Sequence, residues 1–176
     1  KKPDDLLGLK LRIQSSRVIE EQMTALGALP QVMAFSEAYQ ALSSGVVDGT
    51  ENPPANMYNQ KMFEVQKHAV LTDHGFLGYA VIVNRDFWNG LPEDIRAALR
   101  RALKEATPYA NALAAEENAE ALEAMKKSGK TAFHVPTPEE RAVWENALRP
   151  VRELMADRVG RDLLTRIEAA TTAGER

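Results

Sequence analysis

The sequence contains no cysteine. That excludes disulfides, thiolate catalysis and cysteine-ligated zinc, and it leaves the compartment open. No apolar run approaches the ~20 residues that a transmembrane helix needs. An excess of basic charge is missing too: 22 Lys and Arg stand interspersed among 25 Asp and Glu, for a net charge of −3. A nucleic-acid surface would need a basic patch, so no nucleic-acid partner is expected. There is no Gly-rich phosphate loop, no G-x-S-x-G nucleophile elbow and no H-E-x-x-H helix. The three histidines, His68, His74 and His134, lack the spacing of a zinc site. Carboxylate pairs occur on helices, where they read as solvent-facing charges. The expectation is therefore no catalytic residue, no metal and no cofactor. The chain opens at Lys1 without a signal-peptide pattern, which suggests a processed, truncated or unexported polypeptide. Internal repeats, low-complexity tracts and obvious linkers are absent.

What is present is a chain of 176 residues with 44% hydrophobic content, enough to bury a sizeable core in one domain or one large lobe. Its organising stretch is Met33–Pro53, MAFSEAYQALSSGVVDGTENP. Strand, helix and strand follow one another so closely there that a parallel sheet with short crossovers is implied. In such sheets the ligand cleft lies beyond the carboxyl ends of the strands. Arg12, Phe35 and Glu51-Asn52 each stand where a strand has just ended, and together they read as one wall of a cleft.

In chain order, Leu9, Leu11 and Ile13 alternate with Lys10 and Arg12, the period of a half-buried strand. Ser15 and Ser16 are N-cap candidates for a helix with Ile19, Met23 and Leu26 on one face, stopped by Gly27. Further parallel strands are expected over Gln31–Ala34, Val46–Thr50 and Val65–Thr72. Ser36 should cap the helix Glu37–Ser44. Asp48-Gly49 is a hairpin signal, but a strand continuing into Thr50 suits the helical segment beyond it better. Leu77–Asn84 is the most β-rich run and should be a buried central strand. Phe87 and Trp88 should pack as core. Helical periodicity from Pro92 to Ser128 predicts a helix of ~50 Å, kinked or restarted at Thr107-Pro108 because proline removes a hydrogen bond and clashes with the preceding turn. Its stretch Glu116–Lys130 reads as a solvated face. After a short strand at Thr131–Val135, Thr137-Pro138-Glu139-Glu140 is a capping box. It starts a helix that buries Trp144, Ala147, Leu148, Val151 and Met155 and bends at Pro150. Gly160 precedes a last amphipathic segment, Leu163–Ala169.

The candidate site residues each carry two readings. Arg12 is an exposed edge charge or an anion clamp, since guanidinium grips a carboxylate with two parallel hydrogen bonds. Asn52, followed by Pro53, is a helix N-cap or a cleft amide. Phe35 is core or a ligand platform, and His74 is structural or cleft-lining.

Four strings, GLKLR at Gly8–Arg12, GALPQVMAFSEAYQAL at Gly27–Leu42, GVVDGTENP at Gly45–Pro53 and FEVQKHAVLTDH at Phe63–His74, resemble in words, order and spacing the solute-binding proteins of tripartite ATP-independent periplasmic (TRAP) transporters, of the DctP type. The likeness extends through FWNGLPEDIR and the helices to about Ala170. It implies an α/β, periplasmic-binding-protein-like, type II-like two-lobe fold with a mostly parallel sheet and a long lobe-spanning helix. It also implies that the amino-terminal lobe is largely missing. Residues 1–77 would be carboxy-lobe sheet and cleft wall, 78–117 the strand and long helix returning to the amino-terminal lobe, and 118–176 carboxy-lobe helices. By the same resemblance Arg12 is the carboxylate clamp, Phe35 the cleft aromatic and Asn52 the ligand-contacting amide, with Ser15 and His74 lining the cleft. The implied role is periplasmic capture of a small organic acid and its delivery to TRAP membrane permease subunits, with contact to the membrane only through them. Pro108 departs from the family pattern. The alternatives are a two-lobe enzyme acting on a carboxylic acid, with Glu51 and His74 as its candidate groups, and a protein that dimerises through the long helix.

Overall fold

The computed structural model describes residues 1–174. After a 3-10 turn at Pro3–Leu6 come β1 (Lys10–Ile13), α1 (Arg17–Ala25) and β2 (Leu29–Val32). A 3-10 turn at Phe35–Glu37 leads into α2 (Ala38–Ser43), β3 (Gly49–Thr50) and α3 (Pro54–Asn59). A third 3-10 turn, Met62–Glu64, precedes β4 (His68–Val70), and α4 (Arg85–Gly90) and α5 (Glu93–Ser128) follow. The chain closes with β5 (Ala132–His134), α6 (Pro138–Leu154), α7 (Ala156–Val159) and α8 (Arg161–Gly174).

Every strand pairing among the described residues is parallel, but there are two sheets rather than one. β1 is central in the order β2-β1-β3, with Arg12 opposite Gln31 on one side and Thr50 on the other. β2 is an edge, which is where its Pro30 can do without an N–H to donate. The strand expected over Val65–Thr72 shrinks to β4, and it pairs with β5 in a separate two-stranded sheet. Val46 and Val47 precede β3 instead of opening it. Asp48 clamps the start of β1 through both its backbone N–H to the Lys10 carbonyl and its carboxylate to the Lys10 N–H, each at 2.8 Å.

The alternation in β1 sets the two faces of the first sheet. Leu11 and Ile13 are buried with Met23 of α1, Leu26, Ala28, and Trp144 of α6. Leu26 closes α1, and Gly27 turns the chain at φ +75°, a left-handed conformation that favours glycine. A second cluster, Ala38, Ala41, Leu42, Val47 and Met62, is buried around α2.

Several caps differ from expectation. Ser16 does cap α1, accepting from Ile19 N–H at 3.4 Å. Ser36 caps nothing, because Phe35–Glu37 tightens into a 3-10 turn and the Glu37 carboxylate accepts from Ala34 N–H instead. α3 begins one residue later than predicted: Pro53 is its N-cap and Pro54 its first residue, so Asn52 is not a cap. The Thr137 capping box forms in full, with Glu140 N–H donating to Thr137 Oγ1 at 3.3 Å and Thr137 N–H to Glu140 Oε2 at 2.9 Å.

α5 runs as one helix through Pro108, and α6 through Pro150. Thr107 does not restart α5; its hydroxyl donates to the Leu103 carbonyl at 2.6 Å, the back-bonding that a threonine inside a helix makes. Nor is the stretch after Glu116 wholly solvated. Ala121 and Met125 are buried, and Asn118 Oδ1 accepts from Ala55 N–H of α3 at 3.0 Å.

The largest departure is Leu77–Asn84. It forms no strand, and Phe76, Val81 and Ile82 are 80–95% exposed. Strand hydrogen bonds need a neighbouring strand, and none lies beside this run among the described residues. Phe87 is likewise exposed, while Trp88 lies under the Arg100 guanidinium, 5.4 Å from its ring.

Candidate functional site

The site grows out of the carboxyl end of β1. Leu11 and Ile13 face the α1 side, so Arg12 faces the other, and because β1 is the central strand Arg12 is flanked by both neighbours. It is only 3% exposed, which rules out an exposed edge charge. Its Nε and Nη2 both donate to the Met33 carbonyl, at 3.0 and 2.8 Å. That carbonyl lies just beyond the end of β2, so the backbone itself orients the guanidinium. No carboxylate forms an ion pair with Arg12 among the described residues. Burial draws its pKa down from the usual arginine value, and the Glu51 carboxylate opposes that drop. The group stays charged throughout.

Around Arg12 opens a cavity of about 390 Å³. Its wall includes Ser15 from the β1–α1 turn, Phe35 from the turn after β2, and Asn52 from the loop after β3. All three follow carboxyl ends of parallel strands, the place where such sheets hold ligands. Phe35 is not core: it is 37% exposed and its ring centre lies 5.8 Å from the Arg12 guanidinium carbon. Asn52 is held by its neighbours, donating to Thr50 Oγ1 at 3.3 Å and accepting from Asn56 Nδ2 at 3.4 Å.

His74 is not brought to this wall. Its Nδ1 shares a hydrogen bond with Thr72 Oγ1 at 2.8 Å, its Nε2 lies 3.7 Å from Glu51 Oε2, and its carbonyl accepts from Gln22. Among the wall residues that escaped the sequence reading are three with polar side chains, Gln14, Asn56 and Tyr79. Gln14 follows β1 directly, and Asn56 is one helical turn beyond Asn52, so counting outward from the predicted strand ends would have found both. Tyr79 belongs to the run read as strand, and its place here had no signal.

Arg12 is the one charged residue of the wall; the rest is neutral amide, hydroxyl, aromatic and aliphatic. Such a wall can grip an anion by one charge-assisted fork and orient its remainder by neutral hydrogen bonds. Among the described residues no cluster of three His, Asp or Glu is placed to hold a metal ion. No described helix is long and apolar enough to cross a membrane.

Comparison with known proteins bears on the same architecture. Residues 1–158 match the family model described as bacterial extracellular solute-binding protein, family 7 (DctP). The C4-dicarboxylate-binding periplasmic protein DctP of Rhodobacter capsulatus is 63% identical over 169 residues, 96% of this chain and 51% of that protein. A TRAP periplasmic solute-binding protein from Shewanella oneidensis, solved with bound succinate, superposes with a TM-score of 0.91 at 38% identity, over 98% of this chain and 56% of that one. A Pseudomonas aeruginosa counterpart with bound L-malate gives a TM-score of 0.84 at 36% identity, over 86% and 53% of the two chains. The parallel sheets and long helix are thus those of a TRAP periplasmic binding protein, and the chain spans about half the length of the curated relatives it matches. On the family match and these identities, the chain belongs to family 7 of the bacterial extracellular solute-binding proteins, the DctP family.

Proposed function

We propose that this chain is part of the substrate-binding subunit of a TRAP transporter, which captures a small organic acid in the periplasm and passes it to the membrane permease without chemical change. The single observation that carries the reading is Arg12: a buried, backbone-oriented guanidinium without a carboxylate partner, at the strand-end wall of a cavity. A buried charge is costly unless paired, so this one fits a site whose partner is an anionic ligand. The side-on edge, Nε with Nη2, is committed to Met33, which leaves the Nη1–Nη2 end for the ligand carboxylate. Phe35, Ser15 and Asn52 complete the wall. A C4 dicarboxylate is the favoured class, because the Rhodobacter relative is named for it and the Shewanella and Pseudomonas structures hold succinate and L-malate.

In this reading residues 1–77 and 118–176 form one lobe, which the pairing of β4 with β5 supports. Residues 78–117 belong against a second lobe, in keeping with their exposed apolar side chains. The test is equilibrium dialysis of the full-length protein against succinate and L-malate, followed by mass spectrometry of the released ligand. Saturable binding with each acid recovered unchanged is expected. Turnover of either acid would instead support an enzyme, and no binding would overturn the reading.

A further inference from the structure

Asn56 is a wall residue of the cavity that no part of the reading above employs. It ends a directed chain of side-chain hydrogen bonds that starts at Thr50. Thr50 Oγ1 has two backbone carbonyls for its single proton, Arg12 at 3.2 Å and Glu51 at 3.4 Å. A hydroxyl has one proton, so towards Asn52 the Thr50 oxygen is an acceptor. Asn52 must therefore turn its NH2 to Thr50, at 3.3 Å, and its Oδ1 outward along the chain. Asn56 answers that oxygen with its own NH2 at 3.4 Å. Each amide orientation is dictated by the one before it. The result spends one N–H of Asn56, while its second N–H and its Oδ1 have no partner among the described residues.

We propose that Asn56 is a specificity-determining residue that reads the end of the ligand remote from the carboxylate on Arg12. The proposal rests on the solute-binding reading and deepens it. The cavity offers one cation, and Arg12 is taken by one carboxylate. On this wall a second carboxylate, or a hydroxyl beside it, is met by neutral donors. Asn56 supplies an N–H whose direction is pinned by a chain anchored beneath Arg12, so the two contacts are held at a set separation. Acids with a polar far end are selected over acids of the same length with an apolar one. Asn52, whose amide is engaged on both sides, doubles as the positioning residue for Asn56.

The experiment uses the full-length protein and two four-carbon probes, succinate and butyrate, which share the clamped carboxylate and differ at the far end. The parent binds succinate and prefers it to butyrate. Asn56→Ala should lose about 10-fold or more in succinate affinity, as expected for one charge-assisted hydrogen bond, with butyrate affinity unchanged, so the preference collapses. Asn56→Leu, which fills the space without donors, should behave alike. If either variant folds and keeps the parental succinate-to-butyrate ratio, Asn56 is only structural and the inference fails, even while the parent's succinate binding upholds the function. If the parent binds neither probe, both readings fall together.

Discussion

The two ends of α5 obey the same helical periodicity and meet opposite surroundings. Towards Ser128, Ala121 and Met125 are buried and Asn118 is bonded to α3. Towards Glu93, the equivalent stripe of Ile95, Leu99, Leu103 and Leu113 is 41–45% exposed. Ahead of α4, Phe76, Tyr79, Val81 and Ile82 are more exposed still, at 80–95%. A helix closes its hydrogen bonds within itself, four residues apart, so α5 is helical along its whole length whether or not its stripe is covered. A strand closes its bonds with another strand, and the β-rich run Leu77–Asn84, with no strand beside it among the described residues, takes no regular structure. β1 is the opposite case. It is only four residues long, yet it has a partner on each side and both faces covered.

This contrast can be broken experimentally, beginning with the largest effect. Ile13 is fully buried at the end of β1. Ile13→Ala should cost about 2–5 kcal/mol in urea unfolding; a loss well under 1 kcal/mol would mean that β1 is not the centre of the core. Thr137→Ala removes the hydroxyl half of a formed capping box and should cost about 1 kcal/mol. The other half of that box titrates. Backbone N–H of Thr137 and then His134 hold the Glu140 carboxyl below its ordinary 4.5. A carboxyl lowered in the folded state stabilises fully above its unfolded value and loses that contribution as pH falls through the folded one. Stability of the parent should therefore drop more steeply below about pH 4.5 than that of Glu140→Gln; parallel acid curves would remove Glu140 from the account. Smallest of all, Ile82→Ala in the 176-residue chain should change stability by no more than about 0.5 kcal/mol. A larger cost would show the run paired after all.

The same division between local and non-local bonding explains what could be read in advance. Helix starts and stops at Ser16, Gly27 and Thr137 were legible because their bonds span three or four residues. Arg12 was placed correctly on the face opposite Leu11 and Ile13, since a period of two decides that. Its burial was not legible, because it depends on β1 being central, and neighbour order is not written in one strand. Asn52 fell one residue short of the cap because two consecutive prolines both suit the start of a helix, and only packing chose Pro54. The split into two sheets was hidden for a similar reason: β4 finds its partner some sixty residues on, in β5. At the cavity, the strand-end rule located Arg12, Phe35 and Asn52 but also pointed to Glu51, which is not on this wall; Ser15 came from the family resemblance, and the orientation of Asn56 became visible only through the hydrogen-bond chain from Thr50.

The central claim is that the buried guanidinium of Arg12 grips the ligand carboxylate, and calorimetric titration of the full-length Arg12→Lys protein with succinate tests it most directly. Lysine keeps the positive charge but has no planar fork, so it can neither hold the Met33 carbonyl from two nitrogens nor present a second pair of donors. Affinity should fall at least about 100-fold while the protein stays folded, because the carboxylate loses a bidentate, poorly solvated partner. Binding of succinate by folded Arg12→Lys within a few-fold of the parent would contradict the account.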